Sequence, residues 1–506
     1  MIRPFDYSSI TRHSDGILRY DILPNSLVEM LRTTVEATPN AEAVVEVGRD
    51  RVTYRQLWDK SARVAGGLRA EGIRPGDRVA IRLGNGLDWV FAFFGGQMAG
   101  AVVVPVNTRF SESEVEYVIN DSGSRYVFLP DAPLLDGSPL AVENLKREDL
   151  SAIFYTSGTT GFPKGAMTSH EAFLSNSENC MRVVTLPRDG SIRNLVSVPL
   201  FHVTGCNSQL LPTCQNGSTT VIMPSFDVQT FLKVIADERI NLLTSVPAIY
   251  WAAINNPEFP NLDTTAVNWL TYGGAPIAPE LVGRIMTAFP NAKLGNGFGL
   301  TETASVSTFL PHEYARERPE SVGFAVPVVD LDLFEQDRET GAGELLIRGP
   351  NVVKGYWNKP EANAATFTDG WLHTGDMARI SDEGFVQIVD RKKDMINRGG
   401  ENVYCVEVEN ALAAHPRVFE VAVIGVPDQM MGEKVGAVIV PKPGMQLDAN
   451  EILEFARTLI ADFKVPQYIC IRPQLMPRNP GGKILKPVLR KETDWGSPIG
   501  SKGVKQ

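Results

Sequence analysis

The sequence predicts an α/β protein with largely buried sheets, and three observations carry that expectation. Apolar, β-branched runs alternate with helix-spaced segments over most of the chain. The runs are near-continuously apolar rather than alternating, as in strands covered on both faces. At 506 residues the chain exceeds one core, so two to four domains are expected.

The elements follow in order. Arg78–Gly84, Ala101–Asn107, Arg125–Pro130, Ser151–Ser157, Asn194–Leu200, Thr219–Pro224 and Asn241–Pro247 read as strands, and 227–238 between them as a helix. The most apolar run, "WVFAFFGGQMAGAVVVPV" (89–106), holds Gln97, three glycines and Pro105. It reads as a buried helix followed by a buried strand, not as a membrane span. After about residue 340 the texture changes to short strands and turns, "GELLIRGP", "WLHTGDMARI" and "GFVQIVDR", which predict a smaller β unit. A final αβ segment follows, and the polar end of the chain, 493–506, reads as a disordered tail.

The formal charge of −10 argues against general nucleic-acid binding. Five scattered cysteines without a CxxC pair predict reduced thiols, and "MIRPFDYSSI" lacks a basic-then-apolar signal layout. A cytoplasmic protein is the expectation.

The chemistry concentrates in "YTSGTTGFPKG" (155–165), a glycine- and hydroxyl-rich loop after an apolar strand, suited to surround an anion. It is not a Walker A loop, because Pro163 precedes Lys164 and Gly165 follows it. Nor is "LGNGFGLTE" (294–302) a dinucleotide fingerprint, because Leu300 stands where the third glycine belongs.

With "PLFHVTG", "YGGAP", "GFGLTE", "GELLIRGPNVVKGYWNKPE", "DGWLHTGD", "DRKKDMINRGGENVY" and "PRNPGGKILK" in this order, the chain resembles the adenylate-forming superfamily from about residue 25 to 490. That superfamily includes acyl- and aryl-CoA synthetases, luciferases and adenylation domains. The resemblance implies a large N-terminal AMP-binding domain (1–390) of two α/β-sheet subdomains plus a small β-barrel-like one. A hinge (391–395) and a small mobile α+β C-terminal domain (396–492) would follow. It implies ATP, Mg²⁺ and coenzyme A as reactants and cofactor. A carboxylate would attack the α-phosphorus to give acyl-AMP and pyrophosphate, and a thiol would then displace AMP.

By resemblance, Thr156, Ser157, Gly158, Thr159, Thr160, Gly161 and Lys164 clamp the β- and γ-phosphates. Glu302 is the magnesium ligand and Thr301 a donor to the α-phosphate. Adenine would lie between Gly273, Gly274, Ala275 and Pro276 and the ring of Phe298, where most relatives carry tyrosine, with Asn296 and Gly299 on the same strand. Asp376 suits the ribose hydroxyls, with Arg391 and Ile388 beside it. Lys483 would be the mobile catalytic lysine bridging carboxylate and α-phosphate. Lys393 would be the pivot that exchanges the Lys483 face for a face carrying Gly399, Gly400 and Glu401, along the pantetheine tunnel.

The acid pocket is expected at His202, Val203, Val246, Tyr250, Tyr272 and Gly274. His202 stands where amino-acid-activating relatives carry an aspartate, so a hydrophobic acid is expected, with fatty and aryl acids both open. A packed or capping role for His202 competes with that reading. A carrier-protein phosphopantetheine remains the alternative acceptor, and monomer and homodimer are both open.

Overall fold

The computed structural model describes residues 2–156, 163–275, 277, 279–399, 401–478 and 484–496. A five-stranded sheet runs in the order Ser124–Phe128, Arg78–Ile81, Val102–Pro105, Leu150–Thr156, Lys164–Ser169. Its first four strands are parallel, and the last returns antiparallel as a hairpin arm. The long apolar run forms helix Leu87–Met98, buried at every residue except Asp88, and then strand Val102–Pro105. Val64 of helix Tyr54–Ala70 packs so close to Gly95 that a Cβ there would lie 2.5 Å from its Cγ1. No helix among the described residues is long and apolar enough to cross a membrane.

A second sheet has nine strands. Lys293–Leu300, Trp269–Gly273, Leu242–Ser245, Arg193–Val196, Thr219–Ile222 and Glu42–Glu46 lie side by side and parallel. Antiparallel strands close both edges. Parallel strands end on one side, and in open α/β sheets ligands bind outside those carboxyl ends. The segments that follow four neighbouring strands here are 301–303, 274–275, 246–247 and 197–202.

A five-stranded antiparallel sheet comes next, built on Gly343–Arg348, Trp371–Ile380 and Val386–Arg391. The last five-stranded sheet is made wholly of residues after 395, with Val418–Asp428 and Gly432–Pro441 as its long pair. Helix Cys405–Ala413 covers it, and strand Tyr468–Ile471, unread in the sequence, pairs parallel at its edge. The expected free tail needs correction as far as Gly496. Trp495 packs edge-on against Tyr468 at 6.3 Å and joins a core with Met476 and Leu489, because an indole gains more from apolar contact than from water. Residues beyond Gly496 lie outside the described ones.

Candidate active site

Thr156 and Lys164 are paired residues of the hairpin Leu150–Thr156/Lys164–Ser169. The expected phosphate-clamp residues Ser157, Gly158, Thr159, Thr160 and Gly161 lie outside the described residues, as do Pro276, Gly400 and Lys483. The returning arm is paired on its outer edge by the segment 354–357. Met167 N–H donates to the Gly355 carbonyl (2.9 Å), Trp357 N–H to that of Gly165 (2.7 Å), and Ala166 bridges Tyr356.

This pairing puts Tyr356 between two expected functional groups. Its ring lies 5.0 Å beneath the Lys164 ammonium, and its hydroxyl donates to Glu302 Oε1 at 2.6 Å. Burial first, and the Glu302 charge second, push the phenol well above its ordinary range, so it stays a donor at neutral pH. Tyr356 had no role in the sequence reading. Its signal was the "KGYW" run, but the contact arises from residues about 190 positions apart.

Glu302 follows strand Lys293–Leu300 in the short turn Thr301–Thr303. Val353 N–H holds its carbonyl at 2.9 Å. The next two residues, Ala304 (φ 52°) and Ser305 (φ 129°), occupy backbone regions that cost about 1–3 kcal/mol each for residues with a Cβ. Opposite them a Cβ on Gly299 would lie 1.4 Å from the Ser305 carbonyl oxygen, so only glycine admits the turn. Four parallel-strand ends thus stand in a row. Gly273 and Gly297 are register partners, and a Cβ on Gly273 would meet the Gly297 carbonyl at 2.2 Å. Gly274 turns away at φ +76°. Phe298, one residue on, is partly exposed, whereas Asn296 is buried with its amide donating to the Ser321 carbonyl (3.2 Å).

Val246 caps strand Leu242–Ser245, and His202 precedes a short helical segment, Val203–Gly205, without making a side-chain cap bond. The His202 ring packs 4.8 Å from that of Phe201, and Nε2 is buried without a hydrogen-bond partner among the described residues. Burial first, and Arg109 second, hold its pKa down to about 4, so the imidazole is neutral at pH 7. Tyr272 is likewise buried, with a hydroxyl that has no hydrogen-bond partner among the described residues. Tyr250 is fully buried in the second core, and its hydroxyl donates to the Thr271 carbonyl at 2.8 Å, bracing the strand. The helix Pro247–Ile254 turns Trp251 outward, against Phe419 of the last sheet (5.0 Å, edge-on).

Asp376 and Arg391 are register partners on antiparallel strands, joined Oδ1 to Nε at 2.6 Å, and Asp376 is 2% exposed. Ile388 on the second strand packs its side chain into the third core. Beyond Arg391, Lys393 is exposed, and the partial desolvation of its ammonium lowers its pKa. Gly399 takes φ +64° at a turn, where a Cβ would lie 2.4 Å from the Met431 methyl, and exposed Glu401 pairs with Arg398 at 3.5 Å. Arg478 and Ile484 bridge, and Ile484 packs in the same cluster as Phe419, the residue that Trp251 meets.

Among the described residues no three His, Cys, Asp or Glu side chains gather as a metal cage. Glu302 offers one partly exposed carboxylate, which suits an ion whose other ligands are phosphate oxygens and water.

The model for AMP-binding enzymes matches residues 31–357, and that for their C-terminal domain matches residues 407–483. A long-chain-fatty-acid–CoA ligase of Mycobacterium tuberculosis, FadD13, is 36% identical over 498 residues, covering 92% of this chain and 97% of the relative. A feruloyl-CoA synthase of an Amycolatopsis species is 36% identical over 90% of this chain and 96% of the relative. Among solved structures, o-succinylbenzoate CoA synthetase (MenE) of Bacillus subtilis with the acyl-adenylate OSB-AMP superposes at a TM-score of 0.83, with 27% identity over 94% of this chain and all of the other. Ordered motifs, strand-end geometry and full-length similarity agree, and the chain belongs to the AMP-binding enzymes of the adenylate-forming superfamily, as an AMP-forming acid–CoA ligase.

Proposed function

We propose that this ligase activates a hydrophobic monocarboxylic acid, fatty or aryl, and that the residues described above divide the work in two steps. In the first, a carboxylate oxygen attacks the α-phosphorus of ATP and pyrophosphate leaves. Lys164 and the hydroxyl loop receive the β- and γ-phosphates. Tyr356 keeps Lys164 over its ring and Glu302 in one rotamer. Glu302 would hold magnesium beside the phosphates, where the ion would offset their negative charge. Thr301 donates to the α-phosphate, and Lys483 bridges it to the acid, countering charge that builds up in the transition state. Adenine enters along Gly273–Gly274–Ala275 against Phe298, and Asp376, set by Arg391, accepts from the ribose hydroxyls.

In the second step the C-terminal unit turns about Lys393, so that the Gly399–Glu401 turn replaces the Lys483 face. The thiol sulfur of coenzyme A bonds to the acyl carbon, loses its proton, and AMP leaves. Domain bounds of 1–390 and 396–492 around a 391–395 hinge follow from this reading, and Asp390 as last residue of the body agrees with its bonds to both sides of that segment.

The acid would lie among His202, Val203, Val246, Tyr272 and Gly274. A neutral His202 offers a hydrogen bond but no charge, and no carboxylate stands there for a substrate ammonium. The observation that carries the proposal is the Lys164–Tyr356–Glu302 chain at the carboxyl ends of the parallel strands. Its test is a panel of fatty and aryl acids with MgATP, scored for pyrophosphate with and without coenzyme A. A preferred acid whose turnover rises with coenzyme A supports it. Release that stops at one equivalent points to a carrier-protein thiol instead.

A further inference from the structure

We infer that Asn207 is a positioning residue for Glu302, acting through the left-handed turn that follows the carboxylate; the inference rests on Glu302 as the magnesium ligand. Directly after His202–Gly205 the chain widens into one π-helical turn, Cys206–Leu210. Such a turn spends an extra residue and is rare outside functional regions. Here it delivers two side chains to one place. Asn207 Nδ2 donates to the Ala304 carbonyl at 2.8 Å, and the Ser208 hydroxyl bonds that of Ser305 at 2.7 Å.

The clamp is closed on its other sides. Asn176 Nδ2 donates to the Asn207 carbonyl (2.8 Å), while its Oδ1 accepts the Val306 amide (2.8 Å). Asn351 Nδ2 reaches the carbonyls of Thr303 and Val306, both at 3.1 Å. All three asparagines are fully buried. Buried carboxamides pointed at the one turn 303–306 are what keeps Ala304 and Ser305 in backbone regions that a free chain leaves. That turn begins one residue past Glu302 and sets the direction in which its carboxylate faces. Because the same π-helical turn is continuous with the wall at His202, one element ties the acid side of the site to the magnesium side.

The test compares ATP binding by calorimetry in excess magnesium chloride and in excess EDTA for the wild type, Glu302→Gln, Asn207→Ala and Ser208→Ala. Glu302→Gln should erase most of the gain in affinity that magnesium confers. Asn207→Ala should reduce that gain about tenfold while changing affinity in EDTA less than twofold, the pattern of a lost outer partner of a metal ligand. Ser208→Ala, at a part-buried hydroxyl, should move it the same way by less, and serves if Asn207→Ala does not fold. Adding Ala304→Gly to Asn207→Ala should restore part of the gain, since glycine holds a positive φ unaided. If Glu302→Gln keeps the full magnesium gain, the ligand assignment itself falls. If Glu302→Gln loses it but Asn207→Ala and Ser208→Ala keep it, or if both lose affinity equally with and without magnesium, the positioning role is overturned.

Discussion

Two aspartates one pairing step apart on the same pair of strands, Asp376 opposite Arg391 and Asp390 opposite Met377, are held in opposite ways. Both are 2% exposed. Asp376 meets a guanidinium at 2.6 Å on the side of the strand ends. Asp390 has backbone partners, the amides of Arg391 and Cys405, on the side of the C-terminal unit. Burial pushes the Asp390 pKa up to about 6 against the opposing pull of Lys486, whose ammonium pairs with Glu409 at 2.7 Å. On the proposed function, the aspartate that receives the ribose is oriented by a guanidinium, and the one beside the hinge is placed where burial opposes its charge. The strand pair would then separate a binding edge from a mechanical edge.

Removing each side should break a different part of the reaction. Lys483→Ala should lower acyl-adenylate formation by about 10²–10³-fold, the size of a lost transition-state donor. Thioester formation from supplied acyl-AMP should survive within a few-fold; equal losses in the two assays would refute separate faces for the two steps. Asp376→Ala, on the binding edge, should reduce kcat/KM for ATP by about 10²-fold, as expected for hydrogen bonds to a charged acceptor. It should leave KM for the acid near the wild-type value, and a fall in acid affinity alone would place Asp376 elsewhere.

Tyr356→Phe keeps the ring under Lys164 and removes the donor to Glu302. A loss of about tenfold in kcat/KM for ATP is expected from one hydrogen bond to a carboxylate. Tyr356→Leu should cost more, since the cation–π contact goes too. Phe and Leu variants of equal activity would reduce the tyrosine to packing.

Asp390→Asn gives the smallest effect, and its sign depends on pH. In the folded protein Asp390 takes up its proton near pH 6, above the ordinary carboxylate value of 3.8. Between these values the native state binds more protons than the unfolded state, so the group's stabilising contribution is full below pH 3.8 and is lost as pH rises through 6. A permanently neutral asparagine lacks that loss. The Tm difference, variant minus wild type, should therefore rise by a few degrees from pH 4 to 6 and then level off. A difference that is flat with pH would mean that the joint holds Asp390 ionised throughout.

Seven parallel strands were legible in the chain because strands covered on both faces leave continuous β-branched runs, as "AVVVPVN" does, whereas Glu42–Glu46, Trp269–Gly273 and Lys293–Leu300 were not read as strands. The strand-end loops were legible because glycine is the only residue that fits where Gly273 faces Gly297 and Gly299 faces Ser305. What stayed hidden depends on pairing between distant segments. The arm Lys164–Ser169 lacks a β-branched run, and its partner at 354–357 supplies Tyr356 only once the sheet is built. The inward and outward faces of the helix Pro247–Ile254, apolar on all sides, could not be told apart, so the outward contact of Trp251 had no signal in the sequence. The π-helical turn has no local signature either, because its widened hydrogen bonds are paid back by contacts with Ser305 and Ala304 almost a hundred residues later.

Under the proposed turning of the C-terminal unit, Trp251 and Phe419 would make the enzyme a recorder of its own cycle. Their edge contact, worth about 0.5–1.5 kcal/mol, is too weak to lock the two units and too specific to survive their turning. Each departure of the C-terminal unit exchanges an aromatic neighbour of the indole for water. Of the chain's seven tryptophans, this one sits on the helix that Val246, a residue of the proposed acid site, precedes. Its emission alone would therefore time the interval between the two chemical steps, with no label attached.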